Sequence, residues 1–304
     1  MNIQVAHAEP ALLQDALADA ALAVNAELDR LLPRTHAPYG RVQDAMRYAI
    51  TVGGKRMRPF LILEGAALFG APRERALRAA AAIEMVHTYS LVHDDLPCMD
   101  DDDLRRGQPT THKRFDEATA VLAGDALLTL AFEVLANPAT HPDAEVRCSL
   151  SARLARASGA EGMVGGQMMD IVAPEHAFGA EDVALLQRMK TGALFEFACE
   201  AGPILGQADA ADYERLRAYA HDLGLAFQIA DDLIDATSTA EKAGKAVGKD
   251  ADAGKATLVS LMGVDGARRE ALRIAERAAA VLQPYGPAAE AMRRLPAFLV
   301  ERDA

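Results

Sequence analysis

Apolar residues recur at three- and four-residue intervals along almost the whole chain, interrupted by short glycine and proline clusters. That spacing predicts amphipathic helices, and β-branched residues nowhere alternate with polar ones over a strand's length. Ala11 to Leu32 reads as a first helix, stopped by Pro33. Gly53-Gly54 closes a second, and Pro59, at a favourable first-turn position, opens a third. Beyond Gly70-Ala71-Pro72 a long helix runs to about Leu96, where Pro97 ends or kinks it. Further helical periodicity covers about 116–136, 143–160, 181–201, 209–236, 264–283 and 286–302.

Two breaks differ from the short turns. Residues 161–180 hold Gly162, Gly165, Gly166, Pro174 and Gly179, which predicts an irregular connection. Residues 236–256 are small, polar and dotted with lysines, with glycines at Gly244, Gly248 and Gly254. A long loop inside a compact domain is usually functional or disordered, so this segment reads as a lid. With no linker, low-complexity tract or short repeat, residues 1–304 read as one all-α domain.

Composition sharpens the picture. Alanine and leucine dominate the 51% of apolar residues, and both favour helix. A net charge of -12 argues against general affinity for nucleic acid or anionic lipid. Cys98, Cys148 and Cys199 lack CxxC spacing, which favours free thiols in a reducing compartment. The first basic residue is Arg30, and Asp15 and Asp19 interrupt the early apolar stretch, against a secretory signal. No apolar run approaches the ~20 residues that span a bilayer. A cytoplasmic location without stable membrane insertion is the expectation.

The acid is unevenly spread. Asp94, Asp95, Asp100, Asp101, Asp102 and Asp103 fall in one short stretch. Pro97 lets the chain turn and bring Asp100 back towards Asp94. Carboxylates this close raise one another's pKa unless a cation relieves them, and Mg²⁺ takes one or two carboxylates plus substrate phosphates. A solvated acidic loop explains this stretch alone equally well. A calcium EF-hand does not, because counting from Asp100 puts Arg105 where the loop needs glycine and Thr111 where it needs glutamate.

A second cluster, Asp231-Asp232-Leu233-Ile234-Asp235, interrupts an apolar helix. Asp231 and Asp235, four apart, share a face with Gln228, and like charges so placed destabilise a helix by about 0.2–0.5 kcal/mol. A metal ion is the economical counter-charge; an exposed helix face is the alternative. The basic counterpart is Gly53-Gly54-Lys55-Arg56-Met57-Arg58-Pro59, where glycines ahead of a helix start suit an anion and Arg58 offers a bidentate grip. Arg105 and Arg106 follow the aspartates, and Lys190-Thr191 lies inside another apolar helix. Each group alone could be a solvated patch. Together they describe cation sites and anion sites in one chain, as metal-bridged and metal-free diphosphates require.

These motifs resemble those of the trans-isoprenyl diphosphate synthases, and within them the bacterial farnesyl-forming branch. The likeness runs from GGKRMRP at 53–59 through HTYSLVHDDLPCMDDDDLRRGQPT at 87–110, GGQMMD at 165–170, KTG at 190–192 and FQIADDLID at 227–235 to GKAVGKDADAGKAT at 244–257. The resemblance implies a bundle of about ten or more helices around a deep central cavity, with the aspartate motifs facing each other across its mouth. It implies three Mg²⁺ per site with substrate bound, held principally by Asp94, Asp100 and Asp231 with help from Asp95, Asp232 and Asp235. Arg105, Lys190, Lys245 and Lys255 are implied contacts to the allylic diphosphate, and Lys55, Arg58, His87 and Arg106 to isopentenyl diphosphate. Thr191, Gln228 and the Lys190 carbonyl are implied to steady an allylic cation. Dimethylallyl and geranyl diphosphates are the implied co-substrates, and a homodimer the implied assembly. One departure is Leu258-Val259 after Thr257, where the family often has Tyr-Pro.

Tyr89 and Ser90 precede Asp94 by five and four residues, about 6–7.5 Å along a helix. A ring at that depth could floor the product pocket, or be a packed core aromatic. By resemblance, a tyrosine here with the Pro97-Cys98 expansion typifies farnesyl-forming enzymes. Geranylgeranyl diphosphate synthase remains an alternative, with the same chemistry and a deeper pocket. A non-catalytic subunit of a heteromeric prenyltransferase would be expected to lose one aspartate motif. A terpene cyclase would have no use for the 53–58 anion site.

Overall fold

The three-to-four spacing is realised as helix in the computed structural model, which describes residues 3–176, 178–237 and 258–301. The chain divides into two compact units, Met1–Ala152 and Arg153–Ala304. The first holds α1 (Ile3–Leu31), α2 (Gly40–Thr51), α3 (Met57–Leu68), α4 (Arg73–Asp94), the single turn α5 (Thr111–Arg114) and α6 (Glu117–Ala136). Helix α7 (Ala144–Ser158) runs across the division.

Helix α4 organises this first unit. Its residues 79–86 are all buried, because α3 and α6 pack against it and α1 and α2 add further contacts. A helix covered on every side belongs in a core, and the alanines of α4 let neighbouring backbones come close. Helix α6 comes close enough that a Cβ on Gly124 would stand 2.1 Å from His93 Nε2. The His93 ring lies 3.1 Å from the Val121 carbonyl oxygen of α6 and edge-on to Tyr89, with ring centroids 5.7 Å apart. The C-terminal end of α4, which carries Asp94, is therefore pinned to a buried scaffold. Helix α6 is itself long and apolar enough, by length and composition, to cross a bilayer, against the expectation that no apolar run approaches that length. Ala120, Ala123, Leu127, Ala131, Val134 and Leu135 of α6 are nonetheless buried in the core.

The second unit contains α8 (Met163–Val172), α9 (Ala180–Gln187), α10 (Ala193–Leu205), α11 (Ala210–Thr237), α12 (Leu258–Val281) and α13 (Glu290–Glu301). Ala226, Ile229 and Leu233 of α11 pack with Ala267, Ala271, Ile274 and Ala275 of α12 and Val300 of α13. Between α9 and α10 the helix continues through one π turn, Arg188–Gly192. All three cysteines are free thiols.

Two connections differ from the sequence reading. A two-residue antiparallel pair, Leu104–Arg105 with Gln108–Pro109, follows the aspartate run. Its loop residues Arg106 and Gly107 both have positive φ, 52° and 75°, as a tight hairpin turn requires. The stretch 161–180 is not irregular throughout, since ten of its residues form α8. Its glycines serve packing: a Cβ on Gly166 would lie 2.2 Å from the Lys190 backbone nitrogen in the π turn. Because the obstacle is backbone, Gly166→Ala is expected to destabilise the protein by about 1–3 kcal/mol, read as a lowered thermal midpoint. An unchanged midpoint would contradict this packing role.

Candidate functional site

In the first unit the basic loop and the aspartate turn lie on the same framework. Gly53 has φ 90° and Arg56 φ 47°, so the loop between α2 and α3 reverses sharply and Arg56 becomes the residue before α3. Its side chain turns inward, with only 5% of the residue exposed, and forms an ion pair with buried Glu84. Arg56 also donates from Nη2 to the Ile50 carbonyl at 2.8 Å and from Nε to Asn25 Oδ1 at 3.0 Å. Motif reading had not singled it out. This buried arginine anchors the loop, and leaves Lys55 exposed and Arg58 half-buried. Gly54 makes room for Arg106, since a Cβ there would lie 2.7 Å from the Arg106 guanidinium.

His87 sits among these charges. Burial, and after it the guanidinium groups of Arg58, Arg106, Arg105 and Arg56, hold its imidazole well below the ordinary histidine pKa. It is therefore neutral near pH 7, and the positive field around it comes from the arginines. A doubly charged anion is the natural counterpart of such a field. Of the expected isopentenyl diphosphate residues, His87, Arg58 and Arg106 are thus close enough to interact.

The aspartate run folds back on itself after α4. The Asp100 N–H donates to the Asp94 carbonyl at 2.9 Å, and Asp101, with φ 51°, donates to the Leu96 carbonyl at 3.1 Å. Asp94 and Asp100 thereby belong to one turn, as the proline had suggested. Asp95 behaves differently. It is buried, and its Oδ1 accepts from Arg105 Nε at 2.7 Å and pairs with Nη2 at 2.6 Å. Burial raises its pKa, and the arginine opposes that. Arg105 is thus held by Asp95 at the base of the hairpin that presents Arg106. The Tyr48 hydroxyl donates to the Pro109 carbonyl at 2.6 Å and ties that hairpin to α2.

Tyr89 is buried, and burial together with Asp94 raises its phenol pKa. The Ser90 hydroxyl donates to the His87 carbonyl at 2.9 Å.

In the second unit, α11 packs against the π turn that carries Lys190 and Thr191. Gly224 faces Gly192 at 3.9 Å from its would-be Cβ, and Phe227 packs on Phe195 with ring centroids 5.0 Å apart. By helical rotation Gln228 and Asp231 continue this face of α11, while Ile229 and Leu233 point into the core. Asp231 and Asp232 are half-buried, and Asp235 lies one turn further along the helix. Lys190 Nζ pairs with Asp170 Oδ2 at 2.7 Å. A π turn widens a helix by one residue and is frequent at functional sites. Lys245, Lys255 and nearly all of the expected lid lie outside the described residues.

Among the described residues no three His, Cys, Asp or Glu side chains are gathered to hold a metal ion alone. The donor set still suits Mg²⁺, which is content with one or two carboxylates and fills its octahedron with water and substrate phosphate oxygens.

Comparison with known proteins gives one consistent result. Residues 40–283 match the polyprenyl synthetase family. A farnesyl diphosphate synthase of Geobacillus stearothermophilus is 44% identical over 253 residues, 82% of this chain and 84% of its own. A chloroplastic geranylgeranyl pyrophosphate synthase of Arabidopsis thaliana is 43% identical over 270 residues, 87% of this chain and 74% of its own. The crystal structure of an FPP/GFPP synthase from Zymomonas mobilis, 46% identical, matches with a TM-score of 0.88 over 95% of this chain and 99% of that one.

The depressed His87 pKa has a signed consequence for stability. Below the unfolded-state value of about 6.5 the unfolded chain binds a proton that the folded chain refuses. Stability is therefore expected to fall as pH drops below about 6.5, and His87→Gln should flatten that slope in denaturant titrations. The same slope in both proteins would show that His87 is not held neutral.

Proposed function

The chain belongs to the polyprenyl synthetase family and is a trans-prenyltransferase, and we propose that it joins isopentenyl diphosphate head to tail to dimethylallyl and then geranyl diphosphate, making farnesyl diphosphate. The observation that carries this reading is the pairing of unlike charge sites in the first unit. A metal-seeking turn, Asp94 to Asp100, adjoins a metal-free cluster of Arg58, Arg106 and His87.

In this reading Lys55, Arg58, His87 and Arg106 hold isopentenyl diphosphate without a cation. Lys190, Lys245 and Lys255, with Arg105, take the allylic diphosphate. Asp94 and Asp100 are the metal-binding residues of the first unit, and Asp231, Asp232 and Asp235 those of the second. Asp95 contributes chiefly by holding Arg105. Bound Mg²⁺ supplies Lewis-acid stabilisation of the negative charge that gathers on the departing diphosphate. The C–O bond to that diphosphate breaks, the isopentenyl double bond supplies the electron pair of the new C–C bond, and a proton leaves to the released diphosphate. Thr191, Gln228 and the Lys190 carbonyl turn their dipoles towards the allylic cation. A lid at 236–256 excludes water that would quench it. The free thiols support a reducing, cytoplasmic setting, and the family likeness supports a homodimer.

Product length is the finer question, and relatives named for farnesyl and for geranylgeranyl products are almost equally similar to this chain. Tyr89 favours the shorter product. Its ring is buried and braced by His93, five residues or about 7.5 Å of helix before Asp94. Incubating the purified chain with isopentenyl and geranyl diphosphates, then dephosphorylating and chromatographing the products, is expected to give farnesol. Tyr89→Ala should shift the products to C20 and longer. A variant that still stops at C15 would place the floor elsewhere, and geranylgeraniol from the unmodified chain would favour the second product.

A further inference from the structure

Two contacts fix Lys190 from the same side, and both come from α8. Gly166 lets the α8 backbone lie directly on the Lys190 backbone, where any Cβ would stand 2.2 Å from its nitrogen and 2.6 Å from its Cα. One helical turn later, on the same face, Asp170 Oδ2 receives Lys190 Nζ at 2.7 Å. Both partners of this pair are largely withdrawn from solvent, with side-chain exposures of 28% and 27%. A surface ion pair of two mobile chains is worth little, but here the lysine backbone is already clamped and the pair has one geometry to adopt.

The clamped segment is also the π turn Arg188–Gly192, which carries Thr191. A widened turn is a strained solution that persists where its surroundings hold it.

We infer that Asp170 is a positioning residue for the prenyl transfer: it orients the Lys190 ammonium towards the allylic diphosphate and, with Gly166, sets the π turn that carries Thr191. An ammonium has three donors, so Lys190 keeps Asp170 while offering the others to the diphosphate. Asp170 touches neither substrate nor reacting atoms, and its effect passes through Lys190. The inference rests on the assignment of Lys190 to the allylic diphosphate.

The test is a double-mutant cycle on the full-length enzyme with Mg²⁺, isopentenyl diphosphate and geranyl diphosphate. Asp170→Asn, nearly the same shape, is expected to lower kcat by about 10- to 100-fold, the scale at which misplaced groups act. The KM for isopentenyl diphosphate should stay within about twofold, because that substrate is held elsewhere. In a Lys190→Ala background the same substitution should change kcat by less than about twofold. Asp170→Glu, which restores the carboxylate, should recover part of the rate. A merely structural Asp170 would lower kcat equally in both backgrounds and would not be rescued by glutamate, and either result overturns the inference. So does an unchanged kcat in Asp170→Asn when Lys190→Ala is impaired. If Lys190→Ala itself is fully active, the assignment of Lys190 fails first, and the positioning role falls with it.

Discussion

Like charges held close together in a folded chain are costly until something of opposite sign arrives, and the first unit concentrates both signs. Burial, reinforced by Arg58, Arg106, Arg105 and Arg56, keeps His87 neutral. A few residues away, Asp94 and Asp100 share one turn. Two of these charges are paired deep in the fold. Glu84 takes Arg56, and Asp95 takes Arg105. The arginine cluster around His87 is suited to a diphosphate, and the Asp94–Asp100 turn to a hard cation. Isoprenoid condensation needs both.

Holding repelling groups in place requires a stiff support, and small residues provide it. The alanine face of α4 admits α3 and α6, and Gly124 admits the His93 ring next to the aspartates. Gly54 does the same for Arg106, and Gly166 for the backbone of Lys190. In each case a single methyl group would collide with the charged residue or with its immediate neighbour. The glycines therefore set side-chain positions rather than flexibility.

This explains what was legible in the sequence and what was not. Most helix positions were readable within a few residues, because apolar periodicity is local and the chain is rich in alanine and leucine, but α1 begins at Ile3 and α12 at Leu258, well before the periodicity placed them. The turn that joins Asp94 to Asp100 was readable from Pro97. Gly165 and Gly166 pointed to a loop, because glycine signals turns on its own and close helix contact only once the partner is known. Arg56 looked like one more exposed base, since nothing local tells an inward arginine from an outward one. Its partner Glu84 is 28 residues away. The Asp95–Arg105 and Asp170–Lys190 pairs depend on contacts across turns in the same way. The π turn left no trace either, because 181–201 has unbroken helical periodicity.

The central claim is that the chain binds two diphosphates by different physics, one through basic side chains without a metal and one through aspartates that require a metal. Calorimetric titration of each substrate separately, with Mg²⁺ and with a chelator, measures this directly. Isopentenyl diphosphate is expected to bind with similar affinity in both buffers, and geranyl diphosphate to bind measurably tighter with Mg²⁺. Geranyl diphosphate bound equally well in chelator, or isopentenyl diphosphate bound only with Mg²⁺, would contradict it.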